Sequence, residues 1–176
     1  MMFMIRSLGV ISIAVVACVQ ATTLEKLTLD EMIRQSTAIV HVKAISSSPL
    51  VRGRNIFTIY QLQTIENLKN GPQTEVAVPG GAAGGVRQAV PGAPTLTVGG
   101  EYVIFLWTGK SGLTQVIGLS QGLFEVTKDA SGNLILVRPA LAAQMVNRSG
   151  QAQTNGPETV SLSDLKTEIQ RTGASK

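Results

Sequence analysis

The chain has 176 residues and a formal net charge of +4, which is enough length for a domain that buries its own core. Its positive charges are spread thinly and aromatic residues make up 4 %, so no basic stripe or row of stacking platforms marks a nucleic-acid reader. Cys18 is the single cysteine, which leaves no disulfide framework and no thiolate metal cage.

Residues 1–21 read as a secretory signal. Arg6 supplies the positive start, and Leu8 to Val19 form an apolar run too short to span a bilayer comfortably. Val19-Gln20-Ala21 fits cleavage before Thr22, after which the mature chain holds no cysteine. A competing pattern, Val15-Val16-Ala17-Cys18, resembles a lipobox in which Cys18 is lipidated and becomes the first mature residue. Both readings export the chain, to the periplasm, the exterior or a lipid anchor, and neither leaves a transmembrane helix in the mature protein.

Thr28-Leu29-Asp30-Glu31 is a capping-box pattern that predicts a short helix, with Leu29, Met32 and Ile33 sharing a face. Ala38 to Ser46 alternates as a strand, Val40, Val42 and Ala44 on one side and Ile39, His41, Lys43 and Ile45 on the other. Ser47 to Asn55, with Pro49 and Gly53, is expected to be a loop. Ile56 to Leu68 follows as a long strand rich in β-branched and aromatic residues, and Asn70-Gly71-Pro72 turns the chain into Glu75–Val78. Next come two Gly/Pro loops, Pro79 to Gly85 and Pro91 to Pro94, before Gly99-Gly100 turns into Tyr102–Thr108, the most apolar strand candidate.

Leu113–Leu119 and Leu123–Thr127 are further strands, separated near Gly118–Gly122. Asp129 to Asn133 is a hairpin loop, and Leu134–Val137 returns from it. Residues 147–160 are polar and without period, which predicts a mobile linker. Ser161 can cap a terminal helix with a stripe of Leu162, Leu165 and Ile169. The domain plan is therefore a signal over 1–21, an OB-like domain over 22–146, a linker over 147–160 and a helix with its tail over 161–176. The fold class is mainly β. Turn punctuation between short strands predicts a small antiparallel Greek-key barrel with short terminal helices.

Several segments carry a resemblance. Ser36-Thr37-Ala38-Ile39-Val40-His41-Val42, Ile59-Tyr60-Gln61-Leu62, Asn67-Leu68-Lys69-Asn70-Gly71, Gly99-Gly100-Glu101-Tyr102-Val103-Ile104-Phe105-Leu106 and Gln121-Gly122-Leu123-Phe124-Glu125-Val126 occur in that order. The order resembles a group of secreted bacterial domains, mostly uncharacterised, over about residues 25–140. The strand spacing is also similar to the netrin-like module of metalloprotease inhibitors, an OB-type barrel. The inhibitors' N-terminal cysteine and disulfides have no counterpart, so inhibition transfers to no residue here.

Motifs that could carry chemistry are few. Gly118-Leu119-Ser120-Gln121-Gly122 matches G-x-S-x-G, which in hydrolases sets a nucleophile between a strand and a helix. Here the following residues alternate like a strand, and the sole histidine, His41, lies upstream instead of last. Gly109-Lys110-Ser111 lacks the glycine and the helix of a phosphate loop. His41, with no cysteine and no acidic cluster nearby in sequence, is read as an exposed or half-exposed strand residue and not a metal ligand. Glu66, Glu75, Glu101, Glu125 and Asp129 are scattered, without a calcium loop or an acid/base pair.

Gly80, Gly81, Gly84 and Gly85, with Arg87 adding charge, could present backbone amides to an anion, or could serve a wide loop that bends where only glycine fits. Long loops in compact domains are often functional, so Pro79–Pro94 is the expected recognition segment. The functional expectation is an exported, non-catalytic domain that binds a protein or an envelope component. It needs no cofactor and no metal. The alternatives are a hydrolase built on Ser120 with His41 and an OB-type oligonucleotide binder.

Overall fold

The computed structural model describes residues 23–141 and 143–173. The expected export signal and Cys18 lie outside the described residues. A short strand β1 (Thr23–Glu25) leads into helix α1 (Leu29–Gln35), where both bonds of the capping box form: Glu31 N–H donates to Thr28 Oγ1 and Thr28 N–H to Glu31. Strands β2 (Ala38–Arg52) and β3 (Asn55–Lys69) then form one long hairpin. The segment expected as a loop, Ser47 to Asn55, is instead the far end of this hairpin, with Arg52 paired to Asn55 around a tight turn in which Gly53 takes φ +62°. No strand pairs with the opposite edge of β2 beyond Lys43 among the described residues, so Pro49, which has no N–H to give, is tolerated there.

Strand β4 (Glu75–Pro79) adds to β3, and a small separate hairpin follows, β5 (Gly81–Ala83) with β6 (Val86–Gln88). Strand β7 (Glu101–Thr108) pairs with β2. On its other edge it carries β8 (Thr114–Val116) along Leu106–Thr108 and β9 (Leu123–Lys128) along Tyr102–Ile104. A 3-10 turn (Leu119–Gly122) joins β8 to β9. Strand β10 (Leu134–Arg138) returns across the Asp129 hairpin, whose carboxylate accepts from the amides of Ser131 and Asn133. Strands β11 (Gln144–Val146), β12 (Ala152–Gln153) and β13 (Glu158–Ser161) precede helix α2 (Leu162–Gly173).

The main sheet has eight strands in the order β13-β10-β9-β7-β2-β3-β4, with β8 beside β7, and β1, β11 and β12 form a sheet of three. The fold is mainly β with antiparallel ladders in the main sheet and two helices, as the turn punctuation implies. The expected closed barrel does not form. The sheet curls until β8 lies beside β4, but no ladder joins them, because β8 is three residues long and the rest of that edge of β7 is taken by β9. Nor is 147–160 an unstructured linker. It contains β12 and β13; Arg148 bonds Glu25 and Glu31, and Asn155 donates to the carbonyls of Leu141 and Ala143.

Alternation along β2 and β7 divides the core into two. Val40, Val42, Ala44, Tyr102, Ile104 and Leu106 pack inside the curl with Val76 and Val78 of β4 and Val116 of β8. Ile39, Val103, Phe105, Phe124 and Leu136 pack on the outer face beneath Met32 and Ile33 of α1 and Leu162, Leu165 and Ile169 of α2. Each such fully buried side chain contributes about 1.5–3 kcal/mol. No helix is long and apolar enough to cross a membrane among the described residues.

Candidate functional site

The segment from Pro79 to Gly100 leaves the sheet at β4 and re-enters at β7, and its halves behave differently. In the first half, Gly80 N–H donates to Ile56 O at 2.8 Å, Thr58 Oγ1 donates to Gly80 O at 3.0 Å, and Ile56 N–H donates to Gln88 Oε1 at 2.6 Å. Gly81 lies so close to β3 that a Cβ on it would sit 2.6 Å from Thr58 Oγ1. Gly84 and Gly85 form the two-residue turn of the β5–β6 hairpin with φ +55° and +77°, the positive pair that matches the twist of flanking strands. The predicted binding residues therefore separate. Gly80 and Gly81 are the packed root of a hairpin, whereas Gly84, Gly85 and Arg87 are its exposed tip. The Gly80 amide is spent on Ile56, so it is not offered to an anion.

The second half packs back onto the sheet. Leu96 is buried in the inner core, and Thr97 N–H donates to the Tyr102 hydroxyl at 2.9 Å. Gly92 O accepts from Ser120 Oγ at 2.6 Å. Together with 138–141 this half walls a cleft of about 540 Å³ floored by Tyr102 and Leu123, with Glu125 at its rim. The charged wall is Arg138, whose guanidinium is buried and partly engaged: Nη1 donates to Gln121 O at 2.8 Å, Nη2 pairs with Glu158 and Cζ lies 5.4 Å from the Phe124 ring centre, while Nε has no hydrogen-bond partner among the described residues.

Ser120 lines this cleft but is not set as a nucleophile elbow sets its serine. Its hydroxyl donates to the Gly92 carbonyl, and β9 follows it in place of a helix. The left-handed residues of the turn are Gly118 at φ +59° and Leu119 at φ +58°, not the serine. His41 is buried, not exposed as its neighbours in sequence suggested, and its Nε2 lies 2.6 Å from Glu101 Oε1 on the outer face of the sheet. Serine and histidine thus each have another partner. Among the described residues no three His, Cys, Asp or Glu side chains gather into a metal-binding group.

Sequence reasoning missed two arrangements. The His41–Glu101 pair joins residues 60 apart in the chain, so only the β2–β7 register brings them together. The hairpin tips at Gly53, at Gly84-Gly85 and at Gly109–Gly112 meet at one end of the sheet: Arg52 Nη1 donates to Ser111 O at 2.9 Å, and Gln88 reaches the amide of Ile56. The sequence signal for that cluster was the absence of acidic residues from all three stretches. No protein-family model matches the chain, and neither a curated protein nor a solved structure matches it.

Proposed function

We propose that this chain is an exported, non-catalytic binding domain that engages a protein or an envelope component through the segment 79–94. The β5–β6 hairpin carries the reading. It is rooted on β3 through Gly80, Gly81 and Gln88, yet its tip adds nothing to either core, with Val86 61 % exposed and Arg87 without a carboxylate partner among the described residues. A rigid root with an idle, exposed tip is how binding loops are commonly displayed on a β scaffold. The resemblance to secreted bacterial domains supports the exported setting.

The test is affinity capture from the envelope fraction of the source organism, comparing wild type with a Val86→Ser/Arg87→Ser double variant. The root glycines are untouched, so the melting transition should stay within a degree or two of wild type, as for most surface substitutions. The captured component should be lost with the tip. Unchanged capture would remove the segment as the recognition surface. Stoichiometric, Ser120-dependent labelling by a fluorophosphonate would replace binding with hydrolysis.

A further inference from the structure

Resting on the reading that the hairpin at 84–87 is a recognition surface, we infer that its partner is the anionic face of a phospholipid bilayer, met by the three hairpin tips together. The tips are Val51 to Arg54, Gly84 to Arg87 and Gly109 to Gly112. Their contiguity follows from bonds already described: Arg52 to Ser111 O ties the first tip to the third, and Ile56 with Gln88 ties the first to the second.

The charge distribution is one-sided. No aspartate or glutamate occurs between Glu31 and Glu66, between Glu75 and Glu101, or between Glu101 and Glu125, and each tip falls inside one of these stretches. The tips carry Arg52, Arg54, Arg87 and Lys110, all exposed. Elsewhere four surface arginines and lysines face carboxylates, Arg34 with Asp30, Arg148 with Glu25 and Glu31, Lys166 with Glu66, and Arg171 with Asp30 and Glu168, while Lys43 and Lys128 are exposed singly without an ion pair among the described residues. The four tip cations have no carboxylate partner among the described residues, so this end of the sheet presents a positive field that no described side chain neutralises by pairing.

Charge alone would suit any polyanion; the apolar side chains at the same tips favour a bilayer. Val51, beside Arg52, is 59 % exposed, and Val86, beside Arg87, is 61 % exposed. A cation flanked by an exposed aliphatic residue at a turn can place its charge among phosphate headgroups while the aliphatic group enters the boundary with the acyl chains. A soluble polyanion would give the valines nothing to enter.

The experiment is co-sedimentation of the exported protein carrying Cys18→Ser, so that no acyl chain contributes. The vesicles are phosphatidylcholine alone, or phosphatidylcholine with about one-third phosphatidylglycerol, a fraction chosen to give a clearly negative surface. Wild-type tips should bind the anionic vesicles, weakly or not at all the neutral ones, and progressively less as salt is raised. Arg54→Gln/Arg87→Gln/Lys110→Gln removes three charges that make no hydrogen bond or ion pair among the described residues and should weaken binding on the order of a hundredfold. Val51→Ser/Val86→Ser should weaken it roughly tenfold through lost insertion. Equal binding to both vesicle types, no binding to either, or full binding by the charge variant would each overturn the inference. If the vesicles fail while Val86→Ser/Arg87→Ser still abolishes envelope capture, the binding segment stands and its partner is a protein.

Discussion

The two faces of the main sheet each bury a core but use different chemistry. Inside the curl Ile104 belongs to a cluster with Val40, Val42, Leu62, Val76, Leu106 and their apolar neighbours. On the outer face the same sheet accommodates His41, Gln121 and Arg138 among Phe105, Phe124 and Leu136. The difference follows from what covers each face. The inner face is covered mostly by strands, which satisfy their own backbone groups in the ladder, and where irregular chain joins it at Leu96 one hydroxyl, that of Tyr102, takes the Thr97 amide. The outer face is covered by helices and by irregular chain at Glu25–Leu27 and at the 3-10 turn, whose amides and carbonyls need partners. Gln121 supplies them, accepting from Leu27 N–H at 2.8 Å and donating to Glu25 O at 2.9 Å.

That contrast can be broken most severely from the inside. Ile104→Asp places a carboxylate where nothing can hydrogen-bond it, at a cost of several kcal/mol, on the order of the total stability of a domain. Circular dichroism at room temperature should show an unfolded chain. On the outer face, Arg138→Ala should cost about 2–4 kcal/mol, because Gln121 O and Glu158 both lose a buried donor. Arg138→Met should cost clearly less, since an apolar chain of similar length keeps the packing on Phe124. Equal losses in denaturant titrations of the two would mean that charge, not volume, matters at that position.

His41→Ala should come next, at about 1–2 kcal/mol, since Glu101 is half exposed and can turn to water once its partner is gone. A loss as large as that of Arg138→Ala would show that the outer face depends on its polar pairs more evenly than the geometry suggests. The smallest effect belongs to the rim. Thr28→Ala should cost about 1 kcal/mol by removing the cap of α1. The backbone amide of Thr28, followed by its hydroxyl, holds the Glu31 carboxyl below the usual glutamate range. A depressed carboxyl stabilises the fold above its unfolded pKa, and that stabilisation fades as pH falls through the folded value. Thr28→Ala keeps the amide and loses only the hydroxyl's share, so melting temperatures of wild type and variant should draw somewhat closer from neutral pH into the acid range, while the offset from the lost cap to the Glu31 amide persists.

What could be read in the sequence was mostly local. The capping box, the alternation in Tyr102–Leu106 and the stripe of Leu162, Leu165 and Ile169 each carry their signal within a few residues, and each forms as read. Ser46-Ser47-Ser48-Pro49 carries no strand signal of its own. It is extended because Thr58, Ile59, Tyr60 and Gln61 hold it in register from the other arm. The β5–β6 hairpin was hidden for a similar reason: Gly-Gly marks a turn, but Ala82, Ala83 and Arg87 do not alternate as strands flanking a turn usually do. Closure of the curl depended on how long β8 would be, and no residue near Thr114 states that.

The parallel pairing of β1 with β11 has a kinetic consequence. Thr23 to Glu25 leave synthesis before the rest of the described chain, yet their ladder partners are Gln144 to Val146, and Glu25 is also held by Arg148, 123 residues later. Leu27 likewise waits for Gln121. The long β2–β3 hairpin, joined by a turn of a few residues, can close as soon as it emerges. Folding should thus be staged, with the hairpin and β4 assembling early while the first strand and the ties of α1 stay open until the last third of the chain arrives. A chain stalled before Gln121 would lack Phe124, Leu136 and all of α2, leaving Met32 and Ile33 only Ile39, Val103, Phe105 and Ile117 to pack against, and that half-covered face is where a chaperone would find its hold.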